Sequence, residues 1–176
     1  MKRSLSLWQL GGVTFTAVLG TLLHFLYGWT DILAFAPFCA VNESTWEHMK
    51  ILFFPMLIFA LIQSRFFKEE YPNFWCVKLV GIVFGTALIP VLFYTLNGSF
   101  GKTPDWVNIA IFFVAAGGGY LLEGLLFKRV DIRCKSPVFA VVILLLIAAL
   151  FIVFTFFALK IPLFQDPLTG TYGLQR

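Results

Sequence analysis

Apolar residues fill five long stretches of the chain, and short polar segments separate them. The stretches run approximately over residues 7–29, 44–66, 74–96, 106–127 and 138–159. A helix needs roughly 20 mostly apolar residues to cross a bilayer, and each stretch meets that length. The pattern predicts an all-α, polytopic membrane protein, with five transmembrane helices in a single membrane domain over residues 1–176. The apolar segment 31–41 is too short to span and contains Pro37, so we expect an interfacial or re-entrant loop.

The composition supports this membrane class and excludes a soluble domain. Of the 176 residues, 60% are hydrophobic and 12% are charged, whereas charged residues make up about a quarter of a typical soluble domain. The net charge of +4 comes from short Lys and Arg clusters between apolar runs. These clusters form no continuous basic face, so we expect the lipid bilayer as partner and no nucleic acid.

The distribution of basic residues predicts that the N-terminus lies inside and the C-terminus outside. With that orientation, the inside set is Lys2, Arg3, Arg65, Lys68, Lys78, Lys128, Arg129, Arg133 and Lys135. The outside set is Lys102, Lys160 and Arg176. The 31–43 loop and the tail, residues 160–176, then lie outside. Cys39 falls outside, with Cys76 and Cys134 inside, so the sequence implies no disulfide.

The segment VNESTWEHMK, residues 41–50, places ionisable side chains immediately before an apolar run. Ser44 and Glu47 fit a capping box, in which Ser44 caps the new helix and Glu47 reaches back to the cap. On a helical wheel, Glu43, Glu47 and Lys50 fall within an arc of about 60°. Two carboxylates and an ammonium group therefore share one stripe at the outer end of the second helix.

The outer end of the first helix presents a matching stripe, because His24, Tyr27 and Asp31 also fall within about 60°. Consecutive antiparallel helices bring the two stripes together. The predicted ligand-binding layer is His24, Tyr27, Asp31, Glu43, Glu47, His48 and Lys50. Ionisable groups at this depth are costly and tend to face a cavity or pathway. The alternative is a set of solvated charges that cap the helix or pair with one another.

This layer suits several kinds of chemistry. Our leading hypothesis is the binding, and translocation, of a small polar solute or cation. Imidazole and carboxylate groups also suit a divalent metal, with His24, Glu43, Glu47 and His48 as candidate ligands, although the chain lacks HExxH and Glu-x-x-His motifs. The alternatives are a membrane-embedded, metal-dependent hydrolase and an accessory or substrate-binding subunit of a larger complex. The sequence assigns no catalytic residue.

Glu123 is a secondary candidate near the predicted inner interface. We favour a carboxyl group that reaches toward the Lys128 and Arg129 layer, and the alternative is an inner gate for an ion or proton. The tail, KIPLFQDPLTGTYGLQR, contains Pro162, Pro167 and Gly170. It can lie at the interface as a simple terminus or fold back as a lid over the outer layer.

Small residues on the first, third and fourth helices predict close helix packing. The first helix carries Gly12, Thr16, Gly20, His24 and Gly28 at every fourth position, and small residues let helix backbones approach in lipid. The fifth helix has one hydroxyl group and no glycine. That composition is typical of a lipid-facing anchor.

Three strings, LLHFLYGW, NESTWEHMKILFFP and PLFQDPLTGTYG, together resemble a family of small multi-pass bacterial membrane proteins of unknown function. The resemblance covers nearly the whole chain. It implies a location in a bacterial plasma membrane and assigns no activity and no catalytic residue.

Overall fold

The computed structural model describes residues 4–129, 134 and 136–174, and these residues form five long helices without a β-strand. Their bounds are Leu5–Thr30 for α1, Thr45–Phe67 for α2, Phe74–Phe100 for α3, Asp105–Phe127 for α4 and Pro137–Phe156 for α5. Short 3₁₀ helices lie at Leu33–Phe35 and Pro162–Phe164. Each of α1 to α5 is long and apolar enough to cross a membrane. The predicted class, an all-α multi-pass membrane protein, is confirmed.

The helix ends differ from the predicted ends where side chains or the tail intervene. Helix α3 continues to Phe100 instead of ending at residue 96. Asn97 Nδ2 donates to the Phe93 carbonyl at 2.8 Å, and Asn97 Oδ1 accepts the Thr103 N–H at 3.0 Å. Helix α5 ends at Phe156 instead of residue 159. There the Thr155 carbonyl accepts the N–H of Leu174 in the tail, at 3.1 Å, so the helix does not continue.

Helix α2 lies at the centre of the bundle and contacts each of the other long helices. In its membrane-crossing window 67% of residues are buried, against 17% for α1 and 28% for α5. Helices α3 and α4 pack closely where glycines face each other. A β-carbon on Gly119 would lie only 3.4 Å from the Gly85 Cα. Helix α5 is mostly exposed, as an anchor would be, but one face of it docks on α2 and α3.

The stripe of small residues on α1 is the face that meets the bundle. Its buried residues are Gln9, Gly12, Thr16 and Gly20. A β-carbon on Gly20 would lie 3.0 Å from the Ile51 carbonyl oxygen, the group that Pro55 leaves without its usual helical donor. Gly20 therefore lets α1 approach the break in the α2 hydrogen-bond ladder. Gly28, at the end of the predicted stripe, has open space around it.

We call the end of the bundle that carries residues 31–44, 101–104 and 157–174 the histidine end. The opposite end, with residues 68–73 and the described part of 128–136, is the cysteine end. At the cysteine end Cys76 and Cys134 form a disulfide, with Cα atoms 5.6 Å apart. The sequence implied no such bond, because 58 residues separate the two cysteines and only the fold brings the start of α3 beside the segment before α5.

The orientation in the membrane stays a prediction. Lys2, Arg3, Arg133, Lys135 and Arg176, which contribute to the charge bias, lie outside the described residues. Lys78, counted with the inside set, is fully buried in the bundle and is therefore not a surface charge. A disulfide at the cysteine end favours an oxidising compartment, whereas the positive-inside rule, applied to the remaining basic residues, predicts that this end lies inside.

Candidate metal centre

A cluster of metal-ligand side chains forms at the histidine end. Among the described residues, His24, Glu43 and His48 each offer one ligand atom, and these atoms all lie within 4.8 Å of one another. The two carboxylate oxygens of Glu43 lie 3.7 Å from His24 Nε2 and 3.6 Å from His48 Nε2. The side chains come from α1, the 31–44 loop and α2, and all of them are partly buried. A carboxylate thus lies between two imidazoles from different segments.

The start of α2 fixes the position of His48. Its Nδ1 lies 2.9 Å from the Ser44 carbonyl oxygen, which can only accept, so Nδ1 carries a proton and Nε2 is the nitrogen that faces Glu43. The Ser44 hydroxyl caps the Glu47 N–H at 3.4 Å, as the capping box predicts. The Ser44 N–H, however, donates to Asn42 Oδ1 at 2.9 Å and not to Glu47, so only half of the box forms.

His24 is held less completely than His48. Its ring lies 5.3 Å from the His48 ring and packs edge-on against Phe25. Its Nδ1 is buried and has no hydrogen-bond partner among the residues that the structure describes. No backbone acceptor among the described residues therefore fixes the tautomer of this imidazole through Nδ1.

A cavity of about 330 Å³ opens beside the cluster and is lined by His24, Phe25, Tyr27, Trp29, Asn42 and Glu43, among others. The rings of Phe25 and Trp29 stack at 5.6 Å and form an aromatic wall. Tyr27 lines this cavity. Asp31 does not join it, because α1 ends at Thr30 and Asp31 turns into the left-handed conformation, with φ 50°, as an exposed cap.

Glu47 and Lys50 are separated from the cluster and form a buried ion pair, with Nζ 2.5 Å from the carboxylate. The Lys50 ammonium also donates to the Ala36 carbonyl at 2.9 Å and to the Thr155 hydroxyl at 2.8 Å. Glu47 accepts the Val41 N–H at 3.1 Å. Since these bonds occupy the pair, Glu47 is not available as the metal ligand that the sequence suggested.

A protein family of unknown function, DUF6512, matches residues 1–174. The chain belongs to DUF6512. This membership confirms the resemblance to an uncharacterised family, and it brings no activity with it. No curated protein and no solved structure matches the chain. The chemistry of this DUF6512 member must therefore be argued from its own side chains.

Thr155 and Lys78 are residues that sequence reasoning missed in this DUF6512 chain. Thr155 is the single hydroxyl residue of α5, and that isolation in an apolar helix was the available signal. Lys78 pairs with Glu123 at 2.5 Å, and both side chains are fully buried. Glu123 thus points into the bundle instead of toward Lys128 and Arg129. It can do so because Gly81 on α3 leaves room for it, since a β-carbon there would lie 2.9 Å from the Glu123 carboxyl carbon.

The tail of the DUF6512 chain folds onto the histidine end beside the cavity. Phe164 packs against Trp46 and Phe154, with ring centroids 4.7 and 5.4 Å apart. Asn42 Nδ2 donates to the Gly173 carbonyl at 2.9 Å. The residues that line the cavity belong to α1 and the 31–44 loop. The described part of the tail therefore covers the ends of α2 and α5 and contributes no residue to the cavity lining, and its role as a lid over the outer layer stays a prediction.

Proposed function

We propose that this membrane protein binds a divalent transition-metal ion through His24, Glu43 and His48. The observation that carries the proposal is the convergence of these ligand atoms, from separate segments, within 4.8 Å. Two imidazoles and one carboxylate are the ligand set of several catalytic zinc and non-haem iron(II) sites. Such a set would leave a coordination position open, and the cavity lined by His24 and Glu43 would give a ligand access to it.

The distances in the cluster support a metal of this size. In a tetrahedral zinc site with metal–ligand bonds of roughly 2.0–2.1 Å, neighbouring ligand atoms lie about 3.3 Å apart. The Glu43 oxygens lie 3.7 and 3.6 Å from the two Nε2 atoms. One oxygen faces each imidazole, and the three ligand atoms, all within 4.8 Å of one another, would move closer together around an ion. The Ser44 carbonyl, which accepts from His48 Nδ1, supplies the outer contact that orients many metal-binding imidazoles.

The proposal is limited to binding. The three side chains hold the metal ion, and a small polar solute takes its open coordination position. Below the cluster, α1 packs at Gly20 against Phe112 and the Ile51 carbonyl, so the cavity ends at the hydrophobic core. Translocation of the ion or solute would require this packing to open. A metal-dependent hydrolase would need a general base, and the Glu47 carboxylate, which the sequence suggested as a metal ligand, is held by Lys50. The accessory-subunit hypothesis stays a prediction.

Metal analysis of the purified full chain tests the proposal. We expect about one zinc ion per chain after loading, and thermal stabilisation by zinc that is lost in His24→Ala, Glu43→Gln and His48→Ala. A ligand present at 100 times its Kd stabilises a folded protein by about 2.7 kcal/mol, which a melting experiment in detergent resolves.

Asp31→Asn is the matched control, because Asp31 lies at the same end but is an exposed helix cap. Its variant should keep both the bound metal and the stabilisation. The proposal fails if the wild-type chain binds no metal from a panel of zinc, iron(II), manganese and nickel. It also fails if the three cluster variants retain the metal content of the wild type.

A further inference from the structure

The cysteine end contains a buried polar cluster to which α1, α2, α3 and α4 each contribute one side chain. The members are Gln9, Gln63, Lys78 and Glu123, and each lies four residues from the cysteine-end terminus of its helix. They therefore form one layer, about 6 Å along each helix axis. Gln9 is 8% exposed, and the other side chains belong to residues with no exposed surface.

The hydrogen bonds of this cluster fall on one oxygen of Glu123. Lys78 Nζ lies 2.5 Å from Glu123 Oε2, and Gln9 Nε2 donates to the same oxygen at 3.0 Å. Glu123 Oε1 is buried and has no hydrogen-bond partner over the ranges that the structure describes. It is seated against Gly81, where a β-carbon would lie 2.8 Å from it. One oxygen is thus fully used and the other has a free lone pair.

The amide groups cannot be turned round to supply the missing donor. Gln9 Nε2 donates to both Glu123 Oε2 and the Tyr120 carbonyl, so its Oε1 must point toward Gln63. Gln63 Nε2 then donates to Gln9 Oε1 at 3.3 Å. This order leaves Gln63 Oε1 buried and, among the described residues, without a partner. The cluster has an excess of acceptors, and a buried acceptor without a donor is unfavourable.

The Lys78 ammonium group is surrounded by aromatic rings in addition to its partner Glu123. Its nitrogen lies 5.3 to 5.9 Å from the ring centroids of Phe59, Phe74, Tyr120 and Phe127. Aromatic faces attract a cation at these distances. The ammonium can therefore stay in place when the charge of Glu123 changes.

A second cavity, of about 300 Å³, lies beside this layer at Gln9 and reaches Ser6 and Lys128 at the cysteine end. It lies between α1 and α4 and is lined by Ser6, Gln9, Gly117, Tyr120, Gly124 and Lys128, among others. Of these residues, Gln9 donates directly to Glu123, and it also donates to the Tyr120 carbonyl. Water at the surface near Lys128 thus has a short route to the cluster.

We propose that Glu123 Oε1 binds an exchangeable proton, which reaches it from water at the cysteine end through this cavity. The proton adds to the free lone pair of Oε1, so the bonds of Lys78 and Gln9 to Oε2 are kept and no bond breaks. The carboxylate becomes a neutral acid with the donor that the cluster lacks. Among the described residues, the groups that face Glu123 are Lys78 from α3, Tyr120 from α4 and the neutral amides of Gln9 and Gln63.

Infrared spectroscopy of the full chain in detergent tests this proposal. We expect a carboxylic acid C=O band that shifts in D2O, disappears as the pH rises, and is absent from Glu123→Gln. Glu47→Gln is the matched control, because Glu47 is also a buried carboxylate paired with a lysine, and this variant should keep the band. No titrating band in the wild type, or a band that survives in Glu123→Gln, overturns the proposal.

A second measurement tests the route of the proton. Gly117→Leu places a side chain in the cavity, whereas Gly11→Leu adds one at an equally open position on α1 that does not line it. The band should exchange with deuterium more slowly in Gly117→Leu than in the wild type and at the wild-type rate in Gly11→Leu. Equal exchange rates in all three proteins would overturn entry through this cavity.

Discussion

A buried Lys–Glu ion pair lies at each end of the bundle, and the two pairs differ in what surrounds the ammonium group. In both pairs the nitrogen lies 2.5 Å from a carboxylate oxygen. Lys50 also donates to the Ala36 carbonyl and the Thr155 hydroxyl, so it joins α2 to the 31–44 loop and to α5. Lys78 instead faces aromatic rings, and its partner Glu123 retains an oxygen without a hydrogen-bond partner in the described part of the chain.

The Lys50 pair is a structural link between segments, whereas the Lys78 pair contains a carboxylate that can change its charge. Every ammonium proton of Lys50 has an oxygen acceptor, and those acceptors lie on α2 itself, on the 31–44 loop and on α5. The Lys78 pair joins α3 to α4 through one carboxylate oxygen and leaves acceptors unused. Buried ion pairs contribute little net stability unless such additional bonds are complete. We therefore expect the two pairs to respond differently to substitution.

Lys50→Met is expected to have the largest effect. It leaves Glu47 uncompensated and removes the donor to the Ala36 carbonyl, and breaking a buried pair from one side costs about 3–5 kcal/mol. Lys78→Met should lower the free energy of unfolding by less, because Glu123 can accept a proton on Oε1 and become neutral. Reversible unfolding in mixed micelles measures both changes. Equal losses in the two variants would contradict the distinction between the pairs.

Replacing both members of each pair sharpens the comparison. The double variant Lys78→Met with Glu123→Leu should recover most of the stability lost in Lys78→Met, because apolar residues can substitute for a buried pair. The double variant of Lys50→Met with Glu47→Leu should not recover. It leaves the Val41 N–H and the Ala36 carbonyl without partners, at about 1–3 kcal/mol for each buried group. Double-mutant cycles with the same unfolding assay give the coupling energies, and recovery at both ends would argue against our interpretation.

Gly81→Ala should have a smaller effect that is confined to the Lys78 pair. The new β-carbon would lie 2.8 Å from Glu123 Oε1, too close for contact, and such overpacking costs about 1–3 kcal/mol. Gly117→Ala is the control, because a β-carbon there meets nothing within 4 Å. Thermal melting compares the two alanine variants. A loss of stability in Gly117→Ala as large as that in Gly81→Ala would show that helix glycines matter here for another reason.

The candidate metal centre was only partly visible in the sequence. Helix periodicity and a short connecting loop are local properties, and together they predict that His24 and Glu43 lie at the same end of the bundle. A helical wheel also placed Asp31 there, and it failed because Asp31 lies beyond the helix end. It grouped Glu47 with Glu43, although a tight turn at Ser44 sends the two carboxylates to different partners. Angular position alone does not decide which atoms lie within bonding distance.

The sequence by itself determined that the helices lie in a lipid bilayer, how many long apolar segments there are, which face of α1 carries small residues, and that a polar layer lies at the histidine end. Each of these depends on residues close together in the chain. Only the tertiary structure divided that polar layer into the cluster of His24, Glu43 and His48 and the Glu47–Lys50 ion pair, because Lys50 is held by Thr155, which lies 105 residues away. It likewise paired Lys78 with Glu123, 45 residues apart, at the point where Gly81 leaves space for a carboxyl group. Partners of buried charges are chosen by short-range contacts between distant segments, and those contacts exist only once the helices have packed.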